Sequence, residues 1–171
     1  MHMCAKKVLV TYATKYGTTE EIAGQIAQIL VDSGLDIDLI PVMEVGKVDD
    51  YDAIIIGSPV YMGKILVEAR EFCKQYKPYL EGKWIAFFVD GVSLCKKDEK
   101  SLKSMFSAID DMLLYILIEE KAAFGGKLNF GVLSESDMQI ATMAGAPEGD
   151  FSTPEEVRAW ATDIAQKITE L

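Results

Sequence analysis

The chain is poor in the residues from which most catalytic centres are built. Its 171 residues include one histidine, His2, and three cysteines, Cys4, Cys73 and Cys95, with no Cys-x-x-Cys or Cys/His ligand spacing. This argues against a histidine-based triad and against a zinc site. No Gly-Lys-Thr phosphate signature is present, and no internal repeat or low-complexity tract. The longest apolar run, MLLYILI (Met112 to Ile118), falls far short of the roughly 20 residues that cross a bilayer. The amino-terminal MHMCAKK lacks the apolar core of a secretion signal, so a cytoplasmic location is expected, where unpaired thiols stay reduced. Positive charge is also scarce. Seventeen Lys and Arg against 27 Asp and Glu give a formal charge of −10, which disfavours nucleic acid and anionic lipid and suits a partner with a basic face.

What is present is a core-forming composition, 50% hydrophobic and 26% charged, at a length that suits one domain over 1–171. Short β-branched runs alternate with segments of helical period, the pattern of a doubly wound parallel sheet with helices on both faces. Strands are expected at KVLVTY (Lys7 to Tyr12), at DIDLIPV, whose alternation places it nearer an edge, at YDAIIIGSP (Tyr51 to Pro59), at KWIAFFVDG (Lys83 to Gly91) and at EKAAFGGKL. Between them, Ile22, Ile26, Ile29 and Leu30 mark a helix closed at Gly34. Leu66, Ala69, Phe72, Cys73 and Tyr76 mark one that should stop near Pro78. Leu102, Met105, Phe106, Ile109, Met112, Leu113 and Ile116 mark a third. A final helix is expected to open on a Thr153/Glu156 capping box with Pro154 in its first position. The segment NFGVLSESDMQIATMAGAPEGDF carries no strong element and is long for a passive connection, so it is a candidate to fold over a site.

Doubly wound sheets bind ligands at the carboxyl ends of strands, where the winding reverses. The first such end, Thr14 to Thr19, supplies three threonine hydroxyls, a glycine for close backbone approach and the amides of a helix amino terminus, which together make a phosphate cradle. A second reading stays open: Thr18 with Glu21 also fits a helix cap. Lys15 either screens a phosphate or is simply solvated, and Glu20 and Glu21 should face solvent. In GSPVYMGK, residues Pro59, Val60, Tyr61, Met62 and Gly63 form a tight loop in which Tyr61 either stacks on a flat ligand or packs on a neighbouring helix. In DGVSLC, Asp90, Gly91, Val92 and Ser93 offer close backbone approach and a donor, while Cys95, lacking a histidine partner, reads as a bystander thiol.

These residues resemble the flavodoxin family. YATKYGTTEEIA is similar to its Ser/Thr-rich FMN phosphate loop, with Gly17-Thr18-Thr19-Glu20 in the places of the usual Gly-Asn-Thr-Glu. The resemblance implies a flavodoxin-like five-stranded parallel sheet of order 2-1-3-4-5, FMN as cofactor, and Thr14, Lys15, Tyr16, Gly17, Thr18 and Thr19 as phosphate-binding positions. It also implies that Pro59 to Gly63 and Asp90 to Ser93 enclose the isoalloxazine ring. FFVDGVS, AAFGGKL and DMQIATMAGAPEGDFSTPEEVRAWATDIA are similar to the branch that includes the menaquinone-dependent protoporphyrinogen oxidases. Two departures stand out. The second ring loop has no aromatic residue, which leaves one ring face open or covered by Val92 and Leu94, and SESDMQIATM is short and acidic where a membrane-docking enzyme would be basic and apolar. The leading expectation is therefore a cytoplasmic FMN electron carrier or flavoprotein reductase serving a redox partner protein or a small-molecule donor or acceptor. A protoporphyrinogen oxidase-like enzyme and a flavin-free binding module are the alternatives.

Overall fold

β1 (Lys7–Tyr12) is apolar on both faces and runs between two parallel neighbours, β2 (Asp36–Pro41) and β3 (Ala53–Tyr61). β3 pairs in turn with β5 (Trp84–Gly91), and β5 with β6 (Glu120–Gly125), giving the parallel order β2-β1-β3-β5-β6. In order of appearance this is 2-1-3-4-5, as expected; the short β4 (Lys64–Ile65) only folds back on the end of β3. This computed structural model describes residues 4–171, so His2 lies outside the described residues.

Because side chains alternate across a strand, the sheet feeds two cores. One face carries Leu9, Ile54, Ile56 and Phe87 toward α2 (Val67–Leu80) and α3 (Glu99–Asp110), where Phe72, Met105 and Ile109 meet them. The other carries Val8, Val10, Ile55 and Phe88 toward α1 (Thr18–Asp32) and α5 (Pro154–Thr169), where Ile22, Ile26 and Ile164 meet them. Phe88 requires Gly57 on the adjacent strand. A Cβ there would lie 2.0 Å from the ring, which instead packs against Trp160 and Phe124 with centroids 6.3 Å away from each.

Four expectations are corrected. The helical stripe from Leu102 does not continue to Ile116: α3 ends at Asp110 and a 3-10 turn, Asp111–Leu114, follows. Its tighter period turns Met112 into the core and leaves Leu113 exposed. α2 runs past Pro78 to Leu80, because a proline in the last turn forfeits little and buried Leu80 anchors the end. The Thr153/Glu156 capping box does not form; the Thr153 hydroxyl is buried without a partner and Glu156 accepts from Lys97 at 3.0 Å. The long segment after β6 is structured. It contains a hairpin of β7 (Lys127–Leu128) and β8 (Gly149–Asp150), with α4 (Glu135–Met143) between its strands.

Candidate functional site

The carboxyl ends of β1, β3, β5 and β6 meet around a cavity of about 70 Å³. A larger hollow of about 560 Å³ lies at the opposite end of the sheet, where Leu80 and Leu171 bring carbonyl ends of helices that repel anions. The first cavity is the candidate site, because there the chain turns a helix amino terminus and three loops inward.

The β1 loop is held by its own backbone. Ala13 N–H donates to the Gly57 carbonyl at 2.9 Å, and Gly17 N–H donates to Thr14 Oγ1 at 2.9 Å. Gly17 is the residue before α1 and adopts φ +94, which a Cβ makes costly. Thr18 therefore lies inside the helix, and no side chain caps it, which removes the reading of Thr18 as a mere cap. The amides that open α1 have no intrahelical acceptors and sit beside the lining side chains of Thr14, Thr18 and Thr19. Glu20 and Glu21 are exposed, as expected; they accept from Tyr12 at 3.2 Å and from Lys127 at 2.6 Å.

From β3, Pro59, Val60 and Tyr61 line the cavity; from β5, Asp90, Gly91 and Val92 do. Met62, Gly63 and Ser93 are not brought into it. Met62 (φ 52) and Gly63 (φ 77) form the turn into β4 and face outward, and Ser93 is exposed on the 3-10 turn Val92–Lys96. Gly17 shapes the loop without lining the cavity, and Leu94, one candidate to cover the ring, is buried in the core instead. Cys95 is half-buried and outside the cavity; Cys73 is buried, which pushes its thiol up to about 12.

The remaining wall comes from beyond β6: Gly126, Lys127, Leu128, Asn129, Val132 and Leu133; the last three belong to the segment read as a candidate to fold over a site, although none of the six was named there as a site residue. The glycine pair seats it. Gly126 N–H donates to the Gly91 carbonyl at 3.0 Å, and a Cβ on Gly126 would lie 3.1 Å from that backbone. From α4, Asp137 reaches the cavity rim, 2.6 Å from the Lys15 ammonium, and accepts from the Tyr16 hydroxyl. Lys15 and Tyr16 hold the Asp137 carboxyl below the usual carboxylate range. The sequence signal for α4 was Ser134-x-x-Asp137, in which Ser134 Oγ accepts from Asp137 N–H at 3.1 Å.

Asp90 and Thr19 are both buried, and the Thr19 hydroxyl donates to Asp90 Oδ1 at 2.5 Å. Burial pushes the Asp90 carboxyl up to about 6, against a smaller downward pull from Thr19.

A family model described as a flavodoxin domain matches residues 9–151. Protoporphyrinogen IX dehydrogenase [quinone] of Escherichia coli K12 is 29% identical over 96 residues, 55% of this chain and 52% of that protein. Probable flavodoxin 1 of Bacillus subtilis 168 is 35% identical over 74 residues, 42% of this chain and 47% of that protein. The matched regions thus span about half the length of these curated relatives. Among solved structures, a flavodoxin of Streptococcus pneumoniae TIGR4 superposes with a TM-score of 0.63 at 19% identity, covering 96% of this chain and 98% of that one; at that identity the likeness speaks for the fold.

Proposed function

The chain belongs to the flavodoxin domain family, and from that premise we propose that the whole of 1–171 acts as one FMN-binding electron carrier. The cofactor is FMN. The observation that carries the reading is the convergence of Thr14–Thr19, Pro59–Tyr61 and Asp90–Val92 on one cavity at the point where the sheet's winding reverses.

The donors fit a phosphate: threonine hydroxyls and free α1 amides converge where the helix dipole is positive. The ring asks for more room. A cavity of about 70 Å³ is well below the ~300 Å³ at which small-molecule sites begin, so the Leu128–Leu133 wall has to move outward to admit it. Tyr61, partly exposed beneath the Lys15 ammonium at 5.9 Å from its ring centroid, is placed to stack.

FMN supplies the electron chemistry when bound. The chain's acidic surface disfavours added negative charge in the site, which lowers the potential, and steers a partner with a basic face. The cytoplasm fits this role, and no helix of the described residues is long and apolar enough to cross a membrane. Reductive titration of the purified protein tests the reading. A high potential that ignores removal of nearby acids counts against it. Colourless protein that leaves micromolar FMN fluorescence unquenched would favour a flavin-free binding module instead.

A second reading is a protoporphyrinogen oxidase-like enzyme that passes electrons to a quinone or other acceptor. It is favoured by the β5 side of the cavity, where Val92 stands and no aromatic ring shields a bound flavin, and by exposed Met62 and Val132 nearby. Anaerobic mixing with protoporphyrinogen separates the two, and flavin that stays oxidised excludes the enzyme.

A further inference from the structure

Asp90 is the only acidic or basic side chain in the buried set among the described residues, at 3% exposure, and it forms part of the wall of the cavity that would take the FMN phosphate. It is the penultimate residue of β5, in register with Pro59 and Phe124, which carry no charge. From α1 it meets the Thr19 hydroxyl, itself 1% exposed. From β3, the Tyr61 phenol is raised first by its burial and then by the nearby charge of Asp90, with Tyr16 and Asp137 adding to it. The two cations lining the cavity are turned to other acids. Lys15 pairs with Asp137, and Lys127 pairs with Glu21 and, at 3.9 Å, Asp150. Asp90 is thus a carboxyl group in an anion site without a counter-charge of its own.

A threonine hydroxyl has a single proton to donate. Opposite an ionised Asp90, Thr19 gives that proton to the carboxylate, leaving its lone pairs and a buried negative charge to meet an incoming phosphate. Opposite a protonated Asp90, the carboxyl donates to the Thr19 oxygen, and the Thr19 hydroxyl is free to turn to the phosphate. We propose that the FMN phosphate enters this cradle together with one proton from solvent, taken up by Asp90, which is the positioning residue that releases Thr19 to the ligand. The upward push of burial on Asp90, to about 6, agrees, since burial favours the protonated carboxyl. The inference rests on the FMN reading of the same loops.

The test is FMN affinity from pH 5 to pH 8 for the wild type and Asp90→Asn, with riboflavin as the phosphate-free control. FMN's own phosphate titrates near pH 6, so the quantity read is the ratio of the two Kd values. Binding to the protonated form alone makes the wild-type Kd rise relative to the variant by about tenfold per pH unit above 6, reaching about 100-fold at pH 8. The riboflavin ratio stays flat. A flat FMN ratio overturns the inference, and so does a riboflavin ratio with the same slope, which would place the effect at the ring. FMN that binds neither protein at any pH overturns the cofactor reading itself. A measurement on the wild type alone stands if the variant does not fold. On addition of FMN at pH 8, the difference infrared spectrum gains a carboxylic-acid carbonyl band and loses a carboxylate band, and its failure to do so overturns the inference.

Discussion

Asp137 sets its carboxylate 2.6 Å from the Lys15 ammonium and accepts from the Tyr16 hydroxyl, while Ser134 N–H donates to the same hydroxyl at 3.3 Å. The segment that walls the cavity is thereby clamped to the loop it covers. The clamp is partly solvated, so the ion pair contributes at most about 1 kcal/mol, enough to bias a local opening but not the fold.

Asp137→Asn therefore loosens the α4 segment. Amides of residues 134–143 exchange with solvent a few-fold faster at pH 7, and FMN associates and dissociates faster because the wall parts more readily. Since Lys15 and Tyr16 depress the Asp137 carboxyl, the clamp is present above the ordinary carboxylate pKa of about 3.9 and lost as pH falls through its lower folded value. The difference between wild type and variant should vanish there. Hydrogen exchange identical in both proteins at pH 7 would show that the ion pair holds nothing.

Gly17 separates a phosphate loop from a simple helix start. Nothing lies within 4 Å of a Cβ built there, so a substitution is felt only through φ +94. Gly17→Val costs about 1–3 kcal/mol of backbone strain and Gly17→Asn less, because Asn tolerates positive φ. If the loop must keep this shape to hold phosphate, FMN affinity falls by about tenfold or more in the valine variant and riboflavin affinity changes little. Fluorescence quenching reads both. Unchanged FMN affinity in a destabilised Gly17→Val protein would return the loop to a purely structural role.

The strands and most helices could be read from the chain because their periodicity is the periodicity of burial: Val8 and Val10 face one core, Leu9 the other, and Ile22 and Ile26 share a stripe. α4 could not. Ala141 is its one buried residue, so no apolar period announces it, and only the Ser134 cap does. The loops of the site were legible as positions but not as directions. GSPVYMGK reads as one loop, yet β3 continues to Tyr61 and its turn into β4 points Met62 outward. Asp90 was named from its place at the end of a strand, while its buried hydrogen-bond donor is Thr19 of α1, 71 residues away.

The glycine pair after β6 gives a prediction about packing. A Cβ on Gly125 would lie 1.8 Å from the Phe151 carbonyl oxygen, and Phe151 N–H donates to the Gly126 carbonyl at 2.9 Å. Gly125→Ala must displace that backbone and should cost about 1–3 kcal/mol, with the β7–β8 hairpin disturbed first. Gly24→Ala is the contrast, since it sits inside α1 with nothing within 4 Å of the added Cβ and should stabilise by about 1 kcal/mol. Urea unfolding of both variants checks the pair, and equal signs would refute it.

Asp90 also makes a prediction that needs no ligand. Its folded carboxyl sits at about 6 against an unfolded value of 3.8, so the folded state binds the proton more tightly. The sign follows: this group's contribution is fully present below the unfolded value and is lost as pH rises through the folded one. Between about pH 4 and pH 6 the wild type therefore loses stability that Asp90→Asn keeps, since asparagine carries no charge and still offers Thr19 a carbonyl acceptor. At 1.36 kcal/mol per pKa unit the gap amounts to about 3 kcal/mol at pH 7, an upper figure because water entering the open cavity lowers the burial cost. Urea unfolding of both proteins at pH 4 and pH 7 measures it. A gap that does not widen between the two pH values would mean that Asp90 is solvated in the ligand-free protein, and the proton it would take up with the phosphate would then have to be drawn in by the ligand alone.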